Sequence, residues 1–335
     1  KRQRRDALVT DDGSVNWREW QRQTRTANTL PFSVQGSDGR LPASPTDALN
    51  NIASYLAGVF KPVAADNLPQ RIREHHTKVA ACVDELRSRP LSPVPTDERE
   101  RDFSFEEVRD FLLAVNTKKA YGPDDIHPYF IAKAPKIIME LILLAFNFFW
   151  ASGVLPSFWK MSNVTVIYKG EGLKESASSY RPISLTCVLC KVFERLVLTR
   201  LAVTFHPSQA GFRPGRSCDD QIFLMAEAAR TALQEEANQR ARPRRSRERR
   251  HRAVAFIDFS KAFDRVDHAS FLYKLHLRGV GPRVWRFFDA FLRGRRFRVV
   301  ACGFFSDWFI AEAGVPQGSV LGPFVFLVLI DDLPR

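Results

Sequence analysis

Phe256-Ile257-Asp258-Phe259-Ser260-Lys261-Ala262-Phe263-Asp264 carries an acid out of the most strongly strand-like apolar pattern in its neighbourhood. The residues leading into it, Ala253-Val254-Ala255-Phe256-Ile257, form a short apolar run next to Arg252, which predicts a buried strand. From Lys261 onward the spacing turns helical. Asp258 is therefore expected where a core strand ends and emerges, a position suited to holding a cation over a sheet edge. A carboxylate that close to a core is costly unless it is paired or metal-bound, so two readings stand side by side here: metal ligand and ordinary strand-end acid. Asp264 is the obvious second ligand, but strand-then-helix geometry carries it away from Asp258, and an acid early in a helix is more often a cap or surface group.

The other 326 residues of the 335 set the context. A hydrophobic fraction of 45% supports a sizeable core, and a net charge of +13 with a pI near 9.8 points to a polyanionic partner. Much of the excess is arginine, whose fork matches phosphate. Five cysteines, an odd number, do not suggest a disulfide framework and favour a reducing compartment. Cys187 and Cys190 form a Cys-x-x-Cys without a second pair or histidine cluster at ligand spacing, so they read as small buried residues of one helix rather than as a zinc site. The basic start, Lys1-Arg2-Gln3-Arg4-Arg5, lacks the apolar run of a secretory signal, and Ile137 to Trp150 is too short to span a bilayer.

Along the chain, residues 1–45 are polar and turn-rich, and weak order is expected there. Leu49, Ile52, Ala53, Leu56 and Phe60 then recur at helical spacing over Thr46 to Phe60. Pro90-Leu91-Ser92-Pro93-Val94-Pro95 marks a linker. Ser104 and Glu107 form a capping box, with Phe103 and Val108 as a hydrophobic staple, opening a helix to about Asn116. A second helix is expected from about Pro128 to Ala151, stopping at Gly153. Asn163 to Tyr168 and Tyr180 to Leu185 can return on each other as a long hairpin. Helices follow from Cys187 to Val203 and from Asp219 to Glu235, separated by the glycine- and arginine-bearing loop Gln209 to Ser217. Gln239 to Arg252 is nearly all arginine; self-repulsion predicts a disordered basic loop, either a nucleic-acid contact or an incidental solvated insertion. After the focal stretch come helices over Phe271 to Arg278 and Val284 to Leu292, a hairpin from Arg296 to Cys302 and Trp308 to Ala311, the loop Gly314 to Pro323, and a helix over Phe324 to Ile330.

A basic hairpin, a glycine and arginine loop, a strand-end aspartate and a glycine-flanked glutamine loop, all in a cationic chain, together fit metal-assisted nucleotidyl transfer. In that chemistry carboxylates hold divalent ions and cations neutralise moving phosphate charge.

In family order, six motifs resemble the reverse transcriptases of non-LTR retrotransposons of the jockey-like kind. They are Lys119-Ala120-Tyr121-Gly122-Pro123-Asp124; Trp159 through Lys169; Tyr180-Arg181-Pro182-Ile183-Ser184-Leu185 with Lys191 and Glu194; Gln209-Ala210-Gly211-Phe212-Arg213; Phe256 to Asp264; and Gly314-Val315-Pro316-Gln317-Gly318-Ser319. The resemblance implies an α+β right-hand polymerase. Residues 1–100 would be a poorly ordered extension with a helix near 46–60, 101–252 the fingers with adjoining palm helices and the basic loop 239–252, and 253–335 a partial palm.

The resemblance also assigns roles. Asp258 becomes the first catalytic aspartate, binding both of two Mg²⁺ ions, with the Phe259 carbonyl as a further ligand. Phe263 becomes the wedge that excludes a ribose 2′-hydroxyl. Arg181 and Lys169 grip the incoming triphosphate, and Gln317 contacts the nucleotide beside Gly318. Lys118, Lys119, Gly122, Arg213 and Arg216 line the nucleic-acid path. The partners implied are an RNA template, a DNA primer or target and deoxynucleoside triphosphates, without a membrane. The locations implied are the cytoplasm for synthesis and RNA assembly and the nucleus for target-primed integration.

Two departures accompany these assignments. Asp125 stands where the family's Tyr-Gly-Pro-Asp loop usually continues with glycine. No Tyr-x-Asp-Asp motif occurs before Arg335, and Asp331-Asp332 lies at the helix end preceding that hairpin, so the second carboxylate set and the thumb are expected to be missing from a fragment inactive alone. The competing reading is a non-catalytic RNA-binding or splicing-cofactor protein on the same fold.

Overall fold

Two β-rich runs fold back on each other as their alternation requires. In the computed structural model, which describes residues 31–92, 95, 97–240 and 254–333, β1 (Met161–Tyr168) pairs antiparallel with β2 (Tyr180–Leu185), Ile167 lying opposite Arg181 and Val164 opposite Ser184. The other edge of β1 runs parallel to β3 (Arg295–Ala301), which turns through β4 (Phe304–Phe305) and pairs antiparallel with β5 (Phe309–Ala311). Helices pack on this sheet, giving a mixed α+β architecture: α1 (Pro45–Val59), α2 (Gln70–Ser88), α3 (Phe105–Leu113), α4 (Pro128–Ala132), α5 (Lys136–Ser152), α6 (Val188–Thr199), α7 (Cys218–Arg240), α8 (His268–Leu277), α9 (Pro282–Leu292) and α10 (Gly322–Ile330).

Two cores follow from which faces are apolar. Leu49, Ile52, Ala53 and Leu56 of α1 pack on Val164, Tyr180, Phe297 and Val299 of one sheet face. The larger core gathers Phe103, Phe146, Trp150, Trp159, Phe193 and Phe287 as a network of edge-on and tilted rings 5.0–5.9 Å apart. The capping box forms as read: Ser104 Oγ accepts from Glu107 N while Glu107 Oε2 accepts from Ser104 N.

Three expectations are corrected. The strand expected at 253–257 does not form: Val254 to Phe259 is irregular chain, with Phe256 82% and Ile257 81% exposed, and Ala253 lies outside the described residues. A strand needs a neighbour for its backbone hydrogen bonds, and both edges of β1 are already taken by β2 and β3. The helix expected across Pro128 to Ala151 is two, because Pro135 cannot donate to a continuing ladder and instead starts α5. The stretch expected to be weakly ordered up to residue 100 carries a second helix, α2. Only Val79 and Val83 of its 19 residues are fully buried, which is why no apolar periodicity announced it; it packs on α8 and ties Arg87 to the buried Asp289 at 2.9 Å. Residues 1–30 and the arginine-rich 241–253 lie outside the described residues.

The same carboxylate that caps α3 also pairs with Arg200, at 2.8 and 3.0 Å, and that bidentate bond holds Glu107 down at about 2, from an ordinary 4.5. A carboxyl depressed on folding stabilises the native state fully above its unfolded pKa and loses that contribution as pH falls toward the folded one. Between pH 5 and pH 2 the wild type should therefore lose more stability than Glu107→Gln, as measured by urea midpoints across that range.

Candidate active site

The loop from Glu312 to Leu321 is where the sequence-distant motifs meet. Gly314 N donates to Val266 O at 2.8 Å and Val315 N to Phe263 O at 2.9 Å, docking the loop on the focal turn. Three residues on, Ser184 N of β2 donates to Gln317 O at 2.8 Å. Both contacts need glycine. A Cβ on Gly314 (φ 82) would stand 2.5 Å from Asp264 O, and one on Gly318 (φ 129) 2.6 Å from Ser184 O. His268 Nε2 donates to Gly314 O at 2.7 Å. At the far end Glu194, wholly buried on α6, accepts from Val320 N and Leu321 N at 2.7 and 3.0 Å. Burial pushes the Glu194 carboxyl up, opposed by those amides and by Arg295.

The hairpin adds its cations beside this junction. Alternation along β1 and β2 places Ile167 and Arg181 on the face opposite the α1 core, both exposed. Lys169 follows β1, its Nζ donating to Ser178 O at 2.5 Å. Asp264, read from sequence as a surface or capping acid, is half-buried in the turn; burial raises its carboxyl, against the pull of Lys261 and Lys169. Asp258 is exposed, and among the described residues it makes no hydrogen bond or ion pair. No group of three or more His, Cys, Asp or Glu converges on a metal site among the described residues. Asp331 and Asp332, at the end of α10, are tethers: Asp331 accepts from His206 N and pairs with Arg278, and Asp332 pairs with Lys274.

Phe263 stacks on Phe326 of α10, with ring centroids 5.3 Å apart, and meets Phe212 edge-on at 5.8 Å, so the Gln209 to Ser217 loop reaches the focal turn through an aromatic contact. Phe259 also touches Phe326, edge-on at 6.4 Å. Arg213 closes its own loop, donating through one Nη to His206 O and Gln209 O, whereas Arg216 is exposed. Lys118 and Lys119 are exposed, and the charge on Lys119 adds to burial in lowering Lys191. Gly122 is buried, its α-carbon pressed on the Thr186–Cys187 backbone, where a Cβ would come within 2.5 Å of Cys187 N. Cys187 and Cys190 are buried; burial foremost, then Asp124, pushes the Cys187 thiol up to about 12.

Asp125 has φ 54, the left-handed backbone that glycine adopts freely. Asp125→Gly should therefore raise stability by about 0.5–1 kcal/mol in urea denaturation, and a fall in stability would count against this reading of the loop.

Residues 171–335 match the family model described as reverse transcriptase (RNA-dependent DNA polymerase). The chain carries a reverse transcriptase domain over that stretch, just under half of its length. It is similar to the RNA-directed DNA polymerase from mobile element jockey of Drosophila melanogaster, 30% identical over 329 residues, which is 96% of this chain and 33% of that protein. The jockey polymerase of Drosophila funebris is 28% identical over 332 residues, 97% of this chain and 33% of the relative. The probable RNA-directed DNA polymerase from transposon BS of Drosophila melanogaster is 31% identical over 235 residues, 68% of this chain and 24% of that protein. The chain thus spans about a third of the length of the curated jockey relatives. Among the described residues no helix is long and apolar enough to cross a membrane.

Sequence reasoning identified the loop, the hairpin and the focal turn separately but missed what joins them. Tyr55 and His268 carried no motif signal, and Phe60 only its place in a helical apolar spacing. Phe326 sat unmarked in a run of apolar residues. Glu194 was quoted only as part of a family motif; an acid on an otherwise apolar helix face is the kind of signal that marks a buried, hydrogen-bonded carboxylate.

Proposed function

We propose that the chain is the fingers and partial palm of an RNA-directed DNA polymerase of a non-LTR retrotransposon, extending a DNA primer on an RNA template with deoxynucleoside triphosphates. The observation that carries the reading is the Gly314–Gly318 loop. It bridges the turn after Asp258 to β2, three residues from Arg181, so a carboxylate, a triphosphate-binding cation and a nucleotide-contacting glutamine come from adjoining segments. Residues 101–252 would form the fingers with adjoining palm helices and 253–335 the palm.

Asp258 and the Phe259 carbonyl are hard oxygen donors, the kind Mg²⁺ prefers; with substrate phosphates and a further carboxylate they would hold ions that neutralise charge at the reacting phosphate. Arg181 and Lys169 balance triphosphate charge, Gln317 orients the nucleotide, and Phe263 lies against the sugar. Lys118, Lys119, Gly122, Arg213 and Arg216 would follow the nucleic acid. The test is primer extension by the full-length polymerase on an RNA template with Mg²⁺. Template-dependent incorporation of deoxynucleotides is expected; its absence in the intact wild-type protein would sink the reading.

A further inference from the structure

Helix α1 lies outside residues 171–335, the part matched as reverse transcriptase, yet it grips the focal turn and the loop docked on that turn. Lys261 Nζ donates to Tyr55 Oη at 2.8 Å and sits 4.7 Å from the centre of the same ring. One turn further, Phe60 O at the end of α1 accepts from both Glu312 N and Ala313 N at 2.9 Å. Ala313 leads directly into Gly314, which docks on Val266.

Lys261 itself has φ 56, a left-handed conformation that costs a residue bearing a Cβ free energy and persists only where surrounding contacts over-determine it. Its contacts are few: Arg265 N donates to Lys261 O at 3.1 Å, the half-buried Asp264 carboxyl faces its charge, and Tyr55 holds its ammonium. The backbone twist at Lys261 sets the course of Phe263 and Asp264, and through them the seat of Gly314 and Val315. The Tyr55 ring is thus fixed to the sheet by the buried side of α1 and to the turn by one ammonium group.

We infer that Tyr55 is a positioning residue of the polymerase site, acting through Lys261 to hold the Phe259–Asp264 turn against the Gly314–Gly318 loop. The inference rests on the proposed polymerase function for its kinetic consequence but not for its structural one. Tyr55 acts through Lys261, its hydrogen-bond and ring partner. Its effect is on where Phe263 and the carbonyl of Phe259 stand.

The experiment has two arms. In this 335-residue chain, hydrogen–deuterium exchange is followed at the amides of Gly314, Val315 and Arg265. Tyr55→Ala should speed exchange there by about tenfold or more, with α6 and α9 unchanged, while Tyr55→Phe, which keeps the ring face but not the hydroxyl, falls between. In the full-length polymerase, Tyr55→Ala should lower kcat by about tenfold and weaken deoxynucleotide-over-ribonucleotide preference, with KM for the nucleotide changed less than kcat and Tyr55→Phe recovering much of the loss. Unchanged exchange at the three amides would overturn the inference whatever the protein catalyses. Wild-type kcat and sugar preference in an active Tyr55→Ala polymerase would overturn it equally. A wild type that does not extend primers at all defeats the proposed function instead, and the exchange arm still decides the role of Tyr55.

Discussion

Asp258→Ala should abolish RNA-templated primer extension by the full-length polymerase, lowering kcat by about 10³-fold or more while leaving the melting transition of the chain within about 0.5 kcal/mol of wild type. The two halves of this result have different causes. Asp258 is exposed and, among the described residues, has no hydrogen bond or ion pair, so truncating it removes no native contact and creates no buried vacancy. A folded state that gains nothing from a carboxylate has a functional use for it or none at all. If the carboxylate holds ions over the moving phosphate, losing it removes stabilisation worth several kcal/mol that exists only in the transition state. Activity of Asp258→Ala within a few-fold of wild type, measured by single-turnover extension, would return Asp258 to the status of an ordinary surface acid.

Glu194→Ala should be the most destabilising single change near the site, at about 3–5 kcal/mol by urea denaturation. Its side chain is entirely buried, and its Oε2 is the acceptor for two successive amides, Val320 and Leu321, at the entry to α10. Its charge is also the carboxylate that faces Arg295, a guanidinium only 4% exposed that donates to Phe291 O at 2.9 Å and lies over the Phe291 ring. Alanine would leave one half-buried and one buried amide without an acceptor and would remove a negative charge that faces the buried Arg295, and breaking such an arrangement on one side costs far more than replacing both partners. Glu194→Gln keeps an oxygen for the amides and loses only the charge, so it should cost less, about 1–3 kcal/mol. A loss below about 1 kcal/mol for the alanine variant would mean that the loop is held by its other contacts alone.

Much of the candidate site was legible because its signals are local. Capping residues specify α3 locally, since a serine and a glutamate three apart satisfy each other's backbone donors wherever they fall. The long hairpin was legible from two β-rich runs, and its register places Arg181 opposite Ile167, as period-two alternation allows. Glycines at 314 and 318 were legible as loop residues, although what required them, the carbonyls of Asp264 and Ser184, was not. The expected strand at 253–257 shows the converse failure. Its composition is that of a buried strand, but composition supplies no ladder partner, and the described sheet offers it no free edge on β1.

By itself, the sequence determined the elements whose stabilisation is written within a few residues: the capped helix α3, the β1–β2 hairpin, the glycine-bearing loop, and the family resemblance carried by six motifs in order. Which of them touch follows from long-range packing. It brought Gln317 to Ser184, seated Gly314 on the focal turn, placed Tyr55 under Lys261, and left Asp258 exposed at the end of an unpaired stretch. Those contacts join residues far apart in the chain, 48 positions for Gly314 and Val266 and 206 for Tyr55 and Lys261. They depend on the packing of α1 and α6 around one sheet, which no short-range pattern encodes.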